Sequence, residues 1–343
     1  MKRNIFTKTA ASILFGAFIA SGLTGCADPI FHNIREEVRL EKMTIHGEIY
    51  TFARLKDGPS AELLFANGKI YHKNAAKTGH GGWEQFSKPD GQVLTIATDA
   101  NDNIYALSIF YEKEDADGEM QVTGKKIYWY DNSTGSWALV PGLPAMNKDT
   151  KCRLMGTNSV IKANRHAYAV IGGKGYELKN GTSSVCSAAD NKKSCASLNG
   201  TTRFHDGEAA CSNADDTIVY YASGINVVAE GAVTGTIANG IRSNVYGLAA
   251  CGDAVLVSTS SGSALVHNTT GHENQEIQFE NLTSTLSTLY ECRGCIVADP
   301  SKNYRDAIFY AGITVYGSGS NSALFTHEGL WSYYPERGKW NVE

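Results

Sequence analysis

Short apolar runs alternate with polar turns along most of this chain, too closely spaced for helices. After residue 25 no segment keeps a helical period for three turns. Ile34 to Met43 comes nearest, and its Val38 and Leu40 read equally well as part of a strand. One pattern recurs instead: an apolar strand ending in a small residue, a polar turn, then a second apolar strand with Tyr or Val. It occurs as ELLFANGKIYHK around Asn67, VLTIATDANDNIYALS around Asp102 and SVIKANRHAYAVIGG around Asn164. It returns as EAACSNADDTIVYYAS around Asp215, GLAACGDAVLVSTS around Gly252 and CIVADPSKNYRDAIFYAG around Asn303. The turns lie 35, 62, 51, 37 and 51 residues apart, which suits repeats of about four strands with loops of variable length.

Outer hairpins follow some of these pairs. KKIYWYDNSTGSWALV (Lys125 to Val140) is two alternating strands about an NSTG turn, and LWSYYPERGKWNV (Leu330 to Val342) repeats the design. Ala167 to Gly173, AYAVIGG, ends an apolar strand in Gly-Gly. With Tyr128 to Asp131 and Trp137, and with Tyr333 and Trp340, it resembles the kelch class of β-propeller. The expected fold class is therefore all-β, a β-propeller over residues 38–343. Six repeats imply six blades, with seven as the alternative count and a pair of β-sandwiches as the runner-up fold. Radial packing covers both faces of every sheet, and closure removes the open ends. Val38 to Leu55 is strand-like and precedes the first full repeat, so it is expected to close the last blade.

The first 25 residues read as an address. Lys2, Arg3 and Lys8 precede an apolar stretch from Ala10 to Leu23 that is short for a membrane span. Leu23-Thr24-Gly25-Cys26 resembles the lipobox of bacterial lipoproteins. The resemblance implies cleavage before Cys26, acylation of that residue and stable anchoring by several chains. Ala27, in the position where Asp would retain such a protein at the inner membrane, points to the outer membrane. Residues 26–37 form a short linker poor in Ser and Gly, which keeps the domain close to its membrane.

Composition narrows the partners. Hydrophobic residues make up 42% and charged residues 19%, a globular balance; 35 Gly, 17 Tyr, 12 Phe and 5 Trp suit strands and tight turns. The net charge is −4, and losing residues 1–25 removes three positive and no negative charges, leaving −7. There is no basic stripe, so nucleic acid is excluded as a partner. An anionic chain is held at a membrane by its lipid, not by electrostatics. Beyond Cys26 lie seven cysteines, an odd count that leaves at least one thiol unpaired. Cys186 and Cys195 flank the polar loop SAADNKKS, and a disulfide between them is favoured in an oxidising compartment. Cys292-Arg-Gly-Cys295 has redox or zinc spacing. It runs into the strand-like IVAD, and no second CxxC or His pair completes a zinc site, so a structural role is favoured.

No catalytic constellation stands out. There is no phosphate loop and no nucleophile elbow. Asp99-Ala-Asn101-Asp102-Asn103 resembles the start of a calcium loop but lacks its Gly and distant Glu, so turn chemistry is the reading and no metal or cofactor is implied. In a propeller, the loops entering the innermost strands share a face with those joining second and third strands. Arg203, His205, Asp206, Glu208 and Arg242 are assigned to that candidate ligand face. The acidic loop of Glu112, Glu114, Asp115, Asp117 and Glu119 joins them, with Trp83 as a stacking platform or a buried outer-strand residue. The expectation is a lipid-anchored envelope module that binds a protein or glycan without catalysis. The alternatives are a propeller enzyme acting on a sugar and a structural subunit of an envelope assembly. An enzyme would need acids, Arg and Tyr converging on the pore.

Overall fold

The computed structural model describes residues 45–77, 79–113, 120–156, 162, 165–186, 210–212, 218–222, 225–229, 232–236, 245–251, 254–267, 278–282, 290–316 and 327–343. Their regular structure is almost entirely antiparallel strand, in six sheets each built on four strands in up-and-down order. The first sheet holds β1 (Phe52–Leu55), β2 (Glu62–Ala66), β3 (Ile70–Asn74) and β4 (Glu84–Phe86). The second holds β5 (Gln92–Thr98), β6 (Ile104–Lys113), β7 (Met120–Asp131) and β8 (Ser136–Leu139), with β9 (Met146–Asn147) also pairing with β7. The third comprises β10 (Cys152–Gly156), β11 (Ala167–Ile171), β12 (Lys174–Lys179) and β13 (Thr182–Val185). In the fourth are β14 (Ala210–Ser212), β15 (Ile218–Ala222), β16 (Ile225–Ala229) and β17 (Ala232–Thr236). The fifth has β18 (Val245–Cys251), β19 (Ala254–Thr259), β20 (Gly262–His267) and β21 (Gln278–Asn281). The sixth has β22 (Tyr290–Val297), β23 (Phe309–Val315), β24 (His327–Tyr334) and β25 (Lys339–Val342).

The arrangement is propeller-like. First strands meet one another across sheet boundaries: β1 with β5, β5 with β10, β14 with β18, β18 with β22, and β22 with β1. The core is divided into layers between sheets. Leu64, Ile70, Ile96 and Ile104 fill the space between the first and second sheets. Leu107, Ile127, Leu154 and Leu178 lie between the second and third, and Leu256, Leu265, Val297 and Phe309 between the fifth and sixth. Phe52, Leu63, Phe65, Ile296 and Tyr310 lie between the sixth and the first. Inner strands such as β2, β11 and β19 are buried on both faces, so their sequences read as nearly continuous apolar runs, whereas the outer strands β4, β8 and β13 are largely exposed.

The recurring turn pattern marks the sheets with one offset. Asp102 and Asn303 fall between the first and second strands of the second and sixth sheets; Asn164, Asp215 and Gly252 lie outside the described residues, in the sequence between β10 and β11, β14 and β15, and β18 and β19. Asn67 falls between β2 and β3, one strand further along. Every hairpin of an up-and-down sheet has the form strand, polar turn, strand, so the pattern alone does not say which pair it joins. The outer hairpins lie where expected: Tyr130 pairs with Trp137 across β7 and β8, and Tyr333 with Trp340 across β24 and β25. Their ring centroids are 5.3 and 5.0 Å apart.

The expected closing strand is shorter than Val38–Leu55. Phe52–Leu55 is β1 itself, and residues 38–44 lie outside the described residues. Residues 45–47 do join the sixth sheet, beside β24 where β25 ends. Ile45 N donates to Glu343 O (3.4 Å), Leu330 N to Ile45 O (3.3 Å) and Gly47 N to Glu328 O (3.0 Å). Gly47, at φ +103°, then turns the chain away from that sheet, a backbone state that side chains disfavour. Residues 49–51 next cross β22 and β23 at Gly294 and Gly312. A Cβ at either glycine would overlap the backbone of Tyr50 or Ile49.

Polar contacts fasten the same boundary. Arg54 on β1 is buried and donates to Val297 O and, at 3.2 Å, to Ala298 O beyond β22; burial and then the Arg165 charge pull its pKa down to about 10. Lys73 Nζ on β3 donates to Gly79 O (2.7 Å) and to Tyr310 Oη on β23 (2.9 Å). It lies 3.8 Å from Glu343 Oε2, which accepts from Gly81 N at 3.0 Å; side-chain exposure is 1% for Lys73 and 0% for Glu343. Removing one partner of such a pair leaves an uncompensated buried charge, at about 3–5 kcal/mol. Glu343→Gln and Lys73→Met should each lower stability to urea by that order. The double variant Lys73→Met/Glu343→Leu should recover a large part of it, whereas strictly additive losses would show that the two groups do not act as a pair.

Candidate functional site

The sequence-assigned face residues Arg203, His205, Asp206, Glu208, Arg242, Glu114, Asp115 and Asp117 lie outside the described residues, as do Cys26 and Cys195. Trp83 is described. It stands at the start of β4 with its ring against Phe65 (4.9 Å between centroids) and Tyr310 (5.2 Å), within the layer between the first and sixth sheets. It is half-buried. Cys186 is buried against Tyr168 and Val170, and Cys152, Cys251, Cys292 and Cys295 are not in disulfides.

The turn carboxylates sit at the ends where first strands pass into second strands. Asp99 is buried and its oxygens accept from Asn101 N, Asn103 N, Asn103 Nδ2, Tyr105 Oη and Asn180 N at 2.8–3.1 Å. Those five donors make it a cap of its own turn and a tie to the third sheet. Asp102 accepts from Lys56 N (2.8 Å) and Arg165 Nη1 (3.0 Å) and pairs with Lys162. These carboxylates fasten three sheets together.

A different cluster forms at the opposite ends, where first strands begin and second strands pass into third strands. It is centred on Arg293, inside the CRGC segment. A register shift in β22 between Cys292 and Cys295 turns both cysteines into the layer toward the fifth sheet, where both are buried. Cys292 Sγ lies 3.1 Å from Ser258 Oγ, and Cys295 Sγ 3.8 Å from Leu256 O. Burial pushes the Cys295 thiol up to about 12, and burial followed by the Cys295 thiol raises Cys292 well above its ordinary value. These are packing residues held protonated, far from the low-pKa state of a redox pair.

Arg293 projects between two tyrosines, its guanidinium carbon 4.8 Å from the Tyr50 ring centroid and 5.6 Å from that of Tyr246. Its Nη2 is 3.4 Å from both Glu48 Oε1 and Glu291 Oε2. Glu48 also accepts from Tyr50 Oη, and Glu291 from Tyr316 Oη at 2.7 Å. The result is a continuous chain, Tyr50–Glu48–Arg293–Glu291–Tyr316, drawn from the segment before β1, from β22 and from the end of β23. Glu328 on β24 completes the group, with no side-chain hydrogen bond among the described residues. Burial, Glu48 and Glu291 raise its pKa against the opposing effect of Arg293. Burial works against the Arg293 charge, but Glu291, Tyr50 and Glu48 outweigh it and hold its pKa above the ordinary value. Tyr316 is 40% exposed, and its bond to Glu291, followed by burial, pushes its pKa up to about 12.

The cluster offers donors, acceptors and aromatic rings together. It lies on the face that the topology designates, but sequence reasoning missed its residues. The CxxC spacing drew attention to the cysteines on either side of Arg293, and Glu48 and Tyr50 lie at the far end of the chain.

No protein-family model matches the chain, and no curated protein does. Among solved structures, a PQQ-bound aldose sugar dehydrogenase from Streptomyces coelicolor is 11% identical at a TM-score of 0.41, over 85% of this chain and 96% of that one. A glucose dehydrogenase is 10% identical at 0.41, over 83% and 95%, and Sqt1 of Saccharomyces cerevisiae 6% at 0.38, over 87% and 85%. Similarity at this level carries no argument about activity.

The thiol environment gives a direct check. In the native protein near neutral pH, a maleimide should leave Cys292 and Cys295 unlabelled and react with both only after unfolding. Rapid native labelling of either would contradict their packing role.

Proposed function

We propose that this chain is a bacterial lipoprotein, anchored through Cys26 to the outer membrane, whose β-propeller binds a polyhydroxylated ligand, a glycan, at the face centred on Arg293. Six blades closed by residues 45–47 are the reading of its architecture. The contacts between successive first strands, and of β22 with β1, support closure. A Cys186–Cys195 disulfide stapling the loop after β13 belongs to the same reading.

The observation that carries the binding role is the Tyr50–Glu48–Arg293–Glu291–Tyr316 chain. Binding sites combine apolar or aromatic walls with a few fixed polar groups. Sugar hydroxyls both donate and accept, so carboxylates and a guanidinium held in one network suit them. The exposed Tyr316 ring offers an apolar face for a sugar ring, with its hydroxyl tethered by Glu291. The interlocked bonds restrict these side chains before any ligand arrives, which lowers the entropy cost of binding.

One observation favours a second reading, an enzyme acting on a sugar. Burial, Glu48 and Glu291 raise the pKa of Glu328, and a shift in that direction suits a proton donor.

Titration of the detergent-solubilised full chain with neutral oligosaccharides should give saturable binding. Arg293→Met and Tyr316→Ala should each weaken it about tenfold or more with circular dichroism unchanged. Absence of binding to every sugar tested would overturn the proposal, and chemical turnover of a bound sugar lost in Glu328→Gln would decide for the enzyme. Cys26→Ser should move the protein from membrane to soluble fractions; retention there would refute lipid anchoring at that residue.

A further inference from the structure

We propose that Lys73 and Glu343 condense to an intramolecular amide, a covalent modification that staples the first sheet to the sixth. The two side chains meet in the layer between those sheets, 1% and 0% exposed. As an ion pair they are poorly matched. Lys73 Nζ stops 3.8 Å from Glu343 Oε2, well beyond a charge-assisted hydrogen bond. Its bonds go instead to Gly79 O (2.7 Å) and Tyr310 Oη (2.9 Å). Glu343 Oε2 accepts from Gly81 N at 3.0 Å, while Oε1 is buried with no hydrogen-bond partner among the described residues. The cost of taking two charges out of water is offset only by close pairing and by bonds to the remaining lone pairs, and here neither is complete. Joining the groups as a neutral amide removes both charges at once.

The same arrangement provides what the condensation needs. Burial lowers the pKa of Lys73 against the opposing effect of Glu343, which brings the nucleophilic, uncharged amine within reach. One ammonium proton passes to the carboxylate. Nζ then bonds to Cδ, the bond from Cδ to Oε1 breaks, and Oε1 departs as water with that proton and one shed by the nitrogen. Nothing is oxidised or reduced, and no co-reactant enters. Gly81 N–H, bonded to Oε2, stabilises the charge that builds on that oxygen as the nitrogen adds. Tyr310 Oη, already bonded to Nζ, relays the proton that the nitrogen sheds. The rings of Tyr310 and Trp83 stand over Nζ, with centroids 4.9 and 5.7 Å away, and keep out the water that would reverse the step. Holding the two groups side by side makes the reaction effectively unimolecular. The fold must form first, because Lys73 and Glu343 belong to opposite ends of the run of sheets, so the freshly folded chain carries the charged pair and the amide forms from it.

Peptide mapping of the full chain is the test. The purified, detergent-solubilised protein is kept folded at neutral pH for several days, then reduced, denatured and digested with trypsin. A branched species should appear in which the peptide beginning at Trp340 is joined through Glu343 to Lys73. It should be one water lighter than its two parts, with cleavage after Lys73 blocked, and should account for most of the protein. Lys73→Arg and Glu343→Ala should each abolish it. Tyr310→Phe, which keeps the ring and removes only the hydroxyl, should slow its appearance about tenfold or more. Protein held in urea throughout should form none. Complete cleavage after Lys73 in the folded, unsubstituted protein, with linear peptides only, would overturn the proposal whatever the variants do. A branched peptide that forms equally well in urea would overturn it too, since the reaction would then owe nothing to the buried site.

Discussion

The boundary between the sixth and the first sheet is the constraint on which the rest depends. Each four-stranded sheet has two apolar faces. Within the run of sheets, a neighbour supplies the cover; at the two ends of the run, only the opposite end can. Phe52, Leu63 and Phe65 from the first sheet therefore meet Ile296 and Tyr310 from the sixth. Burying side chains of this size contributes about 1.5–3 kcal/mol each. Breaking this boundary would expose apolar faces of both sheets at once.

This boundary is built from both ends of the described chain. Residues 45–47 extend the sixth sheet, Glu343 carries a buried carboxylate to Lys73, and Arg54 reaches across to Val297 and Ala298. Charges this deeply buried contribute little net stability when compared with apolar replacements, but they penalise any register that leaves them unpaired. They therefore act chiefly as locks on alignment. The segment that makes the crossing also builds the candidate site. Passing over Gly294 and Gly312, it sets Glu48 and Tyr50 against Arg293, so the polar cluster is formed by the same segment that joins the first sheet to the sixth.

Much of the architecture was legible in the sequence. Strand-sized apolar runs and Asx-rich turns give an all-β chain of repeated sheets, and the paired Tyr and Trp of the outer hairpins sit opposite each other as read. The offset at Asn67 arose because a hairpin pattern carries no label for its place in the sheet. The closing segment was read as longer than its described part because 52–55 has the same strand character as its neighbours; the decisive signal is Gly47, whose positive φ separates the two roles. The candidate site was legible only as a face. Arg293 is flanked by cysteines whose spacing suggests other chemistry, and two of its partners, Glu48 and Tyr50, lie more than 200 residues away in sequence. What relates them is a close backbone approach at Gly294, and a glycine in a strand is a weak sign of that from sequence alone.

The most direct test of closure is the double variant Gly294→Ala/Gly312→Ala, followed by urea unfolding and by hydrogen exchange of β1 and β24. If the crossing segment must lie against these two glycines, the added methyl groups force it away. Stability should then fall by about 2 kcal/mol or more, with amides of both strands losing protection together. An unchanged unfolding midpoint with full protection of both strands would contradict the account.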